Sequence, residues 1–180
     1  LPSLCRLYLP IPHFAKARNE GFKHINARGE TVVTNGIFKH AYRERRALMP
    51  ITGYFEWQDI FRTGKNKQPY AIAMANDGPF CLAAIWSTWR DRGTGEDVNS
   101  FCIVTTTPNE MMSKIHDRMP VILDRADYER WLSEEPDPAD LLKPFPSDRM
   151  KMWRIDRKVG NVKNDTADIL DEVPPEDLFE

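Results

Sequence analysis

Between Ile115 and Leu123 the chain reads Ile-His-Asp-Arg-Met-Pro-Val-Ile-Leu, which sets an imidazole, a carboxylate and a guanidinium side by side ahead of an apolar run. An imidazole changes charge near neutral pH, so His116 suits general acid/base work, and Arg118 offers a planar fork for an anion. Taken alone, His116 reads either as such a group or as a hydrogen-bonded structural histidine. Glu56 is the second candidate, because it interrupts the aromatic run Tyr54-Phe55-Glu56-Trp57. Simple alternation would turn it to solvent, whereas a partly desolvated position would keep it more readily protonated. The histidines, His13, His24, His40 and His116, lack metal-ligand spacing, and no metal or other cofactor is expected. No Ser/His/Asp or Cys/His motif suited to cleaving other proteins is visible.

The elements around these residues follow from local pattern. Thr107 and Glu110 form a Thr-x-x-Glu capping box with Pro108 at the first helical position, which predicts a helix over 108–114. Pro120 stops any helix at or before Met119, so His116 is expected at a helix C-terminus, where the dipole favours a charged ring. Glu56 falls in a predicted strand from Leu48 to Trp57, interrupted by Pro50 and Gly53. Ahead of it, Ile37, Phe38, Ala41 and Tyr42 mark the apolar face of a helix over 37–46 whose other face is basic. Glu30–Thr34 reads as a short strand. Tyr70–Ala75 and Phe80–Trp86 read as strands of a hairpin about Asn76-Asp77-Gly78. Phe101–Thr106, Val121–Leu123 and Met152–Ile155 are further strands. A helix capped by Asp124 runs to Leu132, and a shorter one is expected at 139–143. Residues 6–16 carry two prolines and read as extended. Strands mixed irregularly with short helices define an α+β class.

A chain of 180 residues with 41% hydrophobic content and no dividing linker is expected to fold as one domain. No apolar run is long enough to cross a bilayer as a helix, and no signal peptide is visible; the expected location is cytoplasmic, nucleoid-associated if the source is bacterial. Three cysteines without a Cys-x-x-Cys pair point to a reducing compartment, with Cys81 and Cys102 as small buried hydrophobes inside strands. The net charge of −2 hides a segregation: residues 1–68 hold 12 Lys and Arg against 5 Asp and Glu, and the rest 13 against 22. A basic first part of this kind fits either a local anion-binding face or an ordinary solvated surface. From Asn164 onward the chain has seven acidic residues and no Lys or Arg, which predicts a frayed or loosely docked tail.

Four stretches taken together carry more information than any one: Ile-Asn-Ala-Arg at 25–28, Pro-Ile-Thr-Gly-Tyr-Phe-Glu-Trp at 50–57, Thr-Thr-Thr-Pro-Asn-Glu at 105–110, and Ile-His-Asp-Arg-Met-Pro at 115–120. In this order they resemble the signatures of the SRAP (SOS-response-associated peptidase) family, whose members recognise abasic sites in single-stranded DNA. The resemblance runs from about Tyr8 through Asp165 and takes in Arg45-Arg46, Leu82–Trp86 and Val159–Asp165. It implies a family domain over 1–165 followed by an acidic tail at 166–180. The implied fold is a mixed β-barrel-like sheet with flanking short helices.

The resemblance further implies a covalent reaction on DNA. An N-terminal cysteine of the mature protein captures the ring-opened sugar aldehyde, first as a Schiff base and then as a thiazolidine. By motif match Asn26, Glu56 and His116 fall at the catalytic positions, Arg28 and Arg118 at phosphate-binding arginines, and Thr105 at a DNA-contacting threonine. Sugar opening and imine formation need a general acid and base, and arginines on phosphates hold a strand without reading its bases. Tyr8, Phe14 or Trp57 would serve either as stacking partners for bases or as packing residues.

Two departures stand out. The family's Met-Cys-Gly-Arg start is not in the sequence given, which leads to the expectation that an upstream segment carries the nucleophile. Cys5 lies 21 residues before Asn26, is not followed by Gly-Arg, and has its nitrogen in a peptide bond. Ala47 stands where many relatives carry cysteine, a packing difference. The expected partner is single-stranded DNA with abasic sites, bound by a monomer; the alternatives are a non-covalent DNA-binding module and a peptidase limited to N-terminal self-processing.

Overall fold

The computed structural model of the chain describes residues 25–174. The extended segment expected at 6–16, with Cys5, Tyr8, His13 and Phe14, lies outside them, as do His24 and the last six residues. Among the described residues the elements are β1 (Asn26–Arg28), α1 (Lys39–Glu44), β2 (Arg46–Ile51), β3 (Gly53–Gln58), β4 (Gln68–Met74), β5 (Phe80–Arg90), β6 (Asp97–Thr106), β7 (Met119–Pro120), β8 (Ile122–Leu123), α2 (Tyr128–Leu132) and β9 (Met150–Arg154), with short 3₁₀ turns between them. The fold is α+β, with mixed strand pairing and short helices, as the sequence predicts. The strands divide over two compact units, each assembled from three stretches of chain, so no linker separates them in sequence.

The first unit comprises residues to Pro50, 80–107 and 120–144. Its sheet has the order β1-β6-β5-β2, with β7 paired to β6 and β8 to β5. β1 runs parallel to β6, in the register Asn26 to Ile103, Ala27 to Val104 and Arg28 to Thr105. β5 and β6 form a long antiparallel hairpin. Alternation then decides the faces: Ala27, Ala83, Ile85, Cys102 and Val104 join Phe38, Ala41, Tyr42 and Trp131 in one core, and their sequence neighbours point away from it. Burial pushes the Cys102 thiol up to about 12, in keeping with a small hydrophobe. α1 forms because Phe38, Ala41 and Tyr42 recur at helical spacing and are buried, while Lys39 and Arg43 stay exposed.

The second unit comprises 51–79, 108–119 and residues from 145 onward. It holds an antiparallel sheet of order β3-β4-β9. β4 is central, and its burial on both faces explains the apolar run Ala71-Ile72-Ala73-Met74. The chain after β9 is tied back to it. Trp153 Nε1 donates to Leu170 O at 2.8 Å, Lys158 pairs with Asp168, and Ile155 bridges to Glu172. The loose tail expected from Asn164 onward is therefore anchored as far as Val173, whose N–H bonds Arg154 O at 3.0 Å.

Several local expectations give way to longer-range pairing. The predicted strand 48–57 is two strands in two sheets, broken at Thr52. Asn76-Asp77-Gly78 does make a turn, with Asp77 at φ 58°, but β4 and β5 do not pair, because β4 already has β3 and β9 on its two edges. Glu30–Thr34 is a run of turns, not a strand, closed by Thr31, Thr34 and Asn35 N–H bonds to carbonyls three or four residues back. Arg46, read as part of the basic solvated face, is buried at the start of β2.

Gly53 opens the strand that carries Glu56, and a Cβ there would lie 2.8 Å from the Ile72 carbonyl oxygen. That oxygen is backbone of a paired strand and has little room to give. Gly53→Ala is expected to destabilise the protein by about 1–3 kcal/mol through overpacking. Thermal melting against Gly36→Ala, where nothing lies within 4 Å of the added atom, checks this; equal melting temperatures for the two variants would refute it.

Candidate functional site

The six residues singled out in the sequence fall three and three on the two units. In the first unit, β1 carries Asn26 and Arg28 on the same face, one residue either side of fully buried Ala27. Both are exposed. Thr105 stands beside Arg28 on the neighbouring strand, and Gly29 N–H extends the pairing with a 2.8 Å bond to Thr105 O. Thr105 itself is buried, with its hydroxyl 3.4 Å from Ala27 O, so it braces the β1 edge as well as lying next to the arginine. This face presents an amide, able to donate and accept, beside a guanidinium.

In the second unit, β3 presents Glu56 between Tyr54 and Gln58 on one face, with Phe55 and Trp57 on the other. Trp57 therefore does not share the face of Glu56. Glu56 is half-buried, and its Oε1 accepts the Trp57 N–H at 3.0 Å. Tyr54 lies close to it: burial first, and the Glu56 carboxylate second, hold the Tyr54 phenol well above its ordinary value.

The segment leading to His116 differs from the expected helix. Residues 112–114 form a single 3₁₀ turn, and the capping box of Thr107 and Glu110 does not form. Asn109 takes the cap instead: its Oδ1 accepts the Met112 N–H at 2.8 Å and its carbonyl the Ser113 N–H at 2.9 Å. Its Nδ2 donates to Phe145 O at 2.7 Å. Met112 O then takes the N–H groups of both Ile115 and His116. The long helix dipole expected behind His116 is absent, and a hydrogen-bonded turn positions the ring.

His116 is half-buried, with Nδ1 accepting the Arg118 N–H at 3.0 Å. In the neutral ring this places the proton on Nε2. Arg118 O at 3.1 Å and Asp117 Oδ1 at 3.3 Å also face Nδ1. The ring has a partner for Nδ1 in either protonation state, which is what a group that cycles between acid and base requires. Arg118 shares the turn, so His116 and Arg118 are held together by the first of these bonds. Among the described residues no group of His, Cys, Asp and Glu is arranged to hold a metal ion.

Sequence reasoning missed the residues that hold this turn: Asn109, Tyr54 and Gln58. Asn109 was readable as a competing cap, being a stronger N-cap type than Thr107. Gln58 shares the period-2 face of Glu56, but its partner is distant in sequence.

The α+β fold thus sets a carboxylate, an imidazole and the half-buried Arg118 on one unit, and an exposed amide and arginine beside Thr105 on the other. The chain is a member of the SRAP family, described as SOS response associated peptidase, whose family model matches residues 7–162. It is 33% identical over 165 residues to abasic site processing protein YoaM of Bacillus subtilis, covering 89% of this chain and 71% of that protein. To abasic site processing protein YedK of Escherichia coli it is 33% identical over 154 residues, covering 83% and 67%. A crystal structure of a protein from Bacteroides thetaiotaomicron matches with a TM-score of 0.81 at 30% identity, covering 93% of this chain and 75% of that one. No helix among the described residues is long and apolar enough to cross a membrane.

Proposed function

We propose that the protein acts on DNA at abasic sites, binding them in single-stranded DNA and forming a covalent protein–DNA link through a cysteine at the mature N-terminus. What carries this reading is likeness along most of the chain to proteins named for abasic-site processing. The residue types at the matched positions are those the chemistry needs. The closed abasic sugar must open to an aldehyde, with a proton delivered to the ring oxygen and one removed from the hydroxyl on C1. The cysteine α-amine then adds to the aldehyde carbon, and loss of one water leaves the imine. The thiol adds across the C=N bond, sulfur to carbon and proton to nitrogen, and closes the thiazolidine. Glu56 and His116 serve as the acid/base groups, Asn26 orients the amine or sugar, and Arg28, Arg118 and Thr105 hold the DNA backbone. The same acid/base pair serves N-terminal self-processing, the peptidase activity that fits this site. The protein works as a monomer.

Covalent capture is tested on denaturing gels with a form whose first residue is cysteine. A heat-stable adduct with abasic single-stranded DNA is expected, and none with intact DNA of the same sequence. Equal yields on both DNAs, or none on either, would refute the reading.

Binding by arginines to phosphates makes a separate prediction. Affinity for single-stranded DNA should fall with salt and vary little with base sequence, because the term comes from released counterions. Arg28→Ala and Arg118→Ala are each expected to weaken binding and to reduce the log–log salt slope by about 0.7. Titrations across salt concentrations, with the fold checked by circular dichroism, measure this. Unchanged affinity and slope in both variants would remove the arginines from the DNA path.

A further inference from the structure

Tyr54, Glu56 and Gln58 alternate on one face of β3, and the outer two hold both ends of the turn that leads to His116. The Tyr54 hydroxyl meets Met112 Sδ at 3.5 Å, and Gln58 Nε2 donates to Lys114 O at 2.8 Å. Met112 and Lys114 are the first and last residues of that turn. The Lys114 carbonyl lies at its C-terminal end, where carbonyls lack a donor from the helix itself, and Gln58 supplies one. The amide has one orientation, because its Oε1 accepts the Tyr70 hydroxyl at 3.1 Å and Tyr70 pairs in register with Glu56. A flipped amide would set oxygen against oxygen at Lys114 and leave the tyrosine proton facing an NH₂ group.

We propose that Gln58 is a positioning residue for His116. It ties the turn two residues ahead of the ring to the strand that carries Glu56, so the two acid/base groups keep a fixed spacing. The connection to the ring is continuous: Lys114 is fixed by Gln58, Ile115 and His116 N–H groups are fixed by Met112 O, and Arg118 N–H is fixed on His116 Nδ1. Gln58 touches no reacting atom. The inference rests on the reading of Glu56 and His116 as the acid/base pair.

The test uses Gln58→Ala, which removes both bonds, and Gln58→Lys, which keeps a donor long enough for Lys114 O. In the chain labelled with nitrogen-15 histidine, the His116 ring signals are assigned by their loss in His116→Gln. Gln58→Ala is expected to move or broaden those signals, because the bond that fixes the tautomer loosens, and Gln58→Lys to return them toward wild type. In the form that begins with cysteine, Gln58→Ala should slow covalent capture on the order of 10–100-fold, the scale of a small misplacement of a reacting group. Affinity for single-stranded DNA should stay within about twofold, since no phosphate contact is removed. Unmoved His116 signals in a folded Gln58→Ala would overturn the proposal, as would a loss of activity that follows only a lowered melting temperature. If the wild-type protein captures no abasic DNA, the functional reading falls and the ring signals alone decide the role of Gln58.

Discussion

Covalent capture of abasic single-stranded DNA should slow by about 10²–10⁴ when His116 is replaced by alanine, the usual cost of removing one acid/base group. Protons have to move at three stages before the thiazolidine forms: as the sugar opens, as water leaves the carbinolamine, and as the thiol adds and its proton passes to nitrogen. Nδ1 of His116 is engaged inside its own turn, so Nε2 is the atom available for these transfers. Glu56→Gln should slow capture as well, by less, since the amide keeps the shape and part of the hydrogen bonding while losing the base. Both variants should still bind DNA, because neither residue is a cation on the proposed phosphate path. Alanine at 116 also removes the acceptor of the Arg118 N–H, a structural loss of about 1 kcal/mol. His116→Gln is the necessary companion, because it offers an acceptor to that N–H without titrating. Gel-shift binding and denaturing-gel crosslinking on the same samples separate affinity from chemistry. Wild-type capture rates in His116→Gln would make the histidine structural, and a slow release of preformed adduct in the same variant would show that it serves the reverse step too.

The residue types of this candidate site were legible in the sequence because they sit in short motifs, and so was much of two long strands. β5 and β6 were read from their apolar, β-rich runs at 80–86 and 101–106, each four residues short of the strand that forms. What was not legible is pairing. The turn at Asn76-Asp77-Gly78 reverses the chain locally, but the partners of β4 are fixed by Gly53–Gln58 and Met150–Arg154, which no local rule selects. Glu30–Thr34 has β-branched residues and still forms turns, because the threonine hydroxyls and Asn35 bond backbone groups nearby. The sequence also mistook the support of His116 for a helix, where one turn, the local Asn109 cap and two distant side chains, Tyr54 and Gln58, do the holding. A glutamine that bonds a carbonyl 56 positions away has no local signature.

Arg46 shows the same limit at its largest expected cost in stability. By charge it belongs with Lys39, Arg43 and Arg45 on a wet basic face, yet it is only 9% exposed. Its guanidinium is spent on backbone carbonyls: Nε donates to Trp131 O at 2.5 Å, Nη1 to Tyr42 O at 2.7 Å and Arg43 O at 3.3 Å, and Nη2 to Ser133 O and, at 2.7 Å, to Glu135 O. Tyr42 and Arg43 lie in the last turn of α1, and Trp131 and Ser133 at the end of α2. One side chain thus caps the C-termini of two helices, where unbonded carbonyls and the negative dipole end both favour a cation. Its ring contacts, 5.9 Å to Tyr42 and 5.6 Å to Trp131, fill the space between them. Burial lowers its affinity for the proton somewhat, but a guanidinium stays charged, so the carbonyls must neutralise it. Arg46→Ala leaves those carbonyls without their donor and opens a gap beside Trp131. The expected loss is roughly 3–5 kcal/mol, the range for breaking a buried charged network. For a chain of this size that is about 6–20 °C in melting temperature. Arg46→Lys should recover only part of it, since one ammonium cannot reach carbonyls on two helices at once. Arg45→Ala is the control: Arg45 stacks 5.1 Å from the Trp86 ring, and its loss should cost about 1 kcal/mol or less. If Arg46→Ala and Arg45→Ala melt together, the double cap contributes nothing beyond an ordinary surface cation.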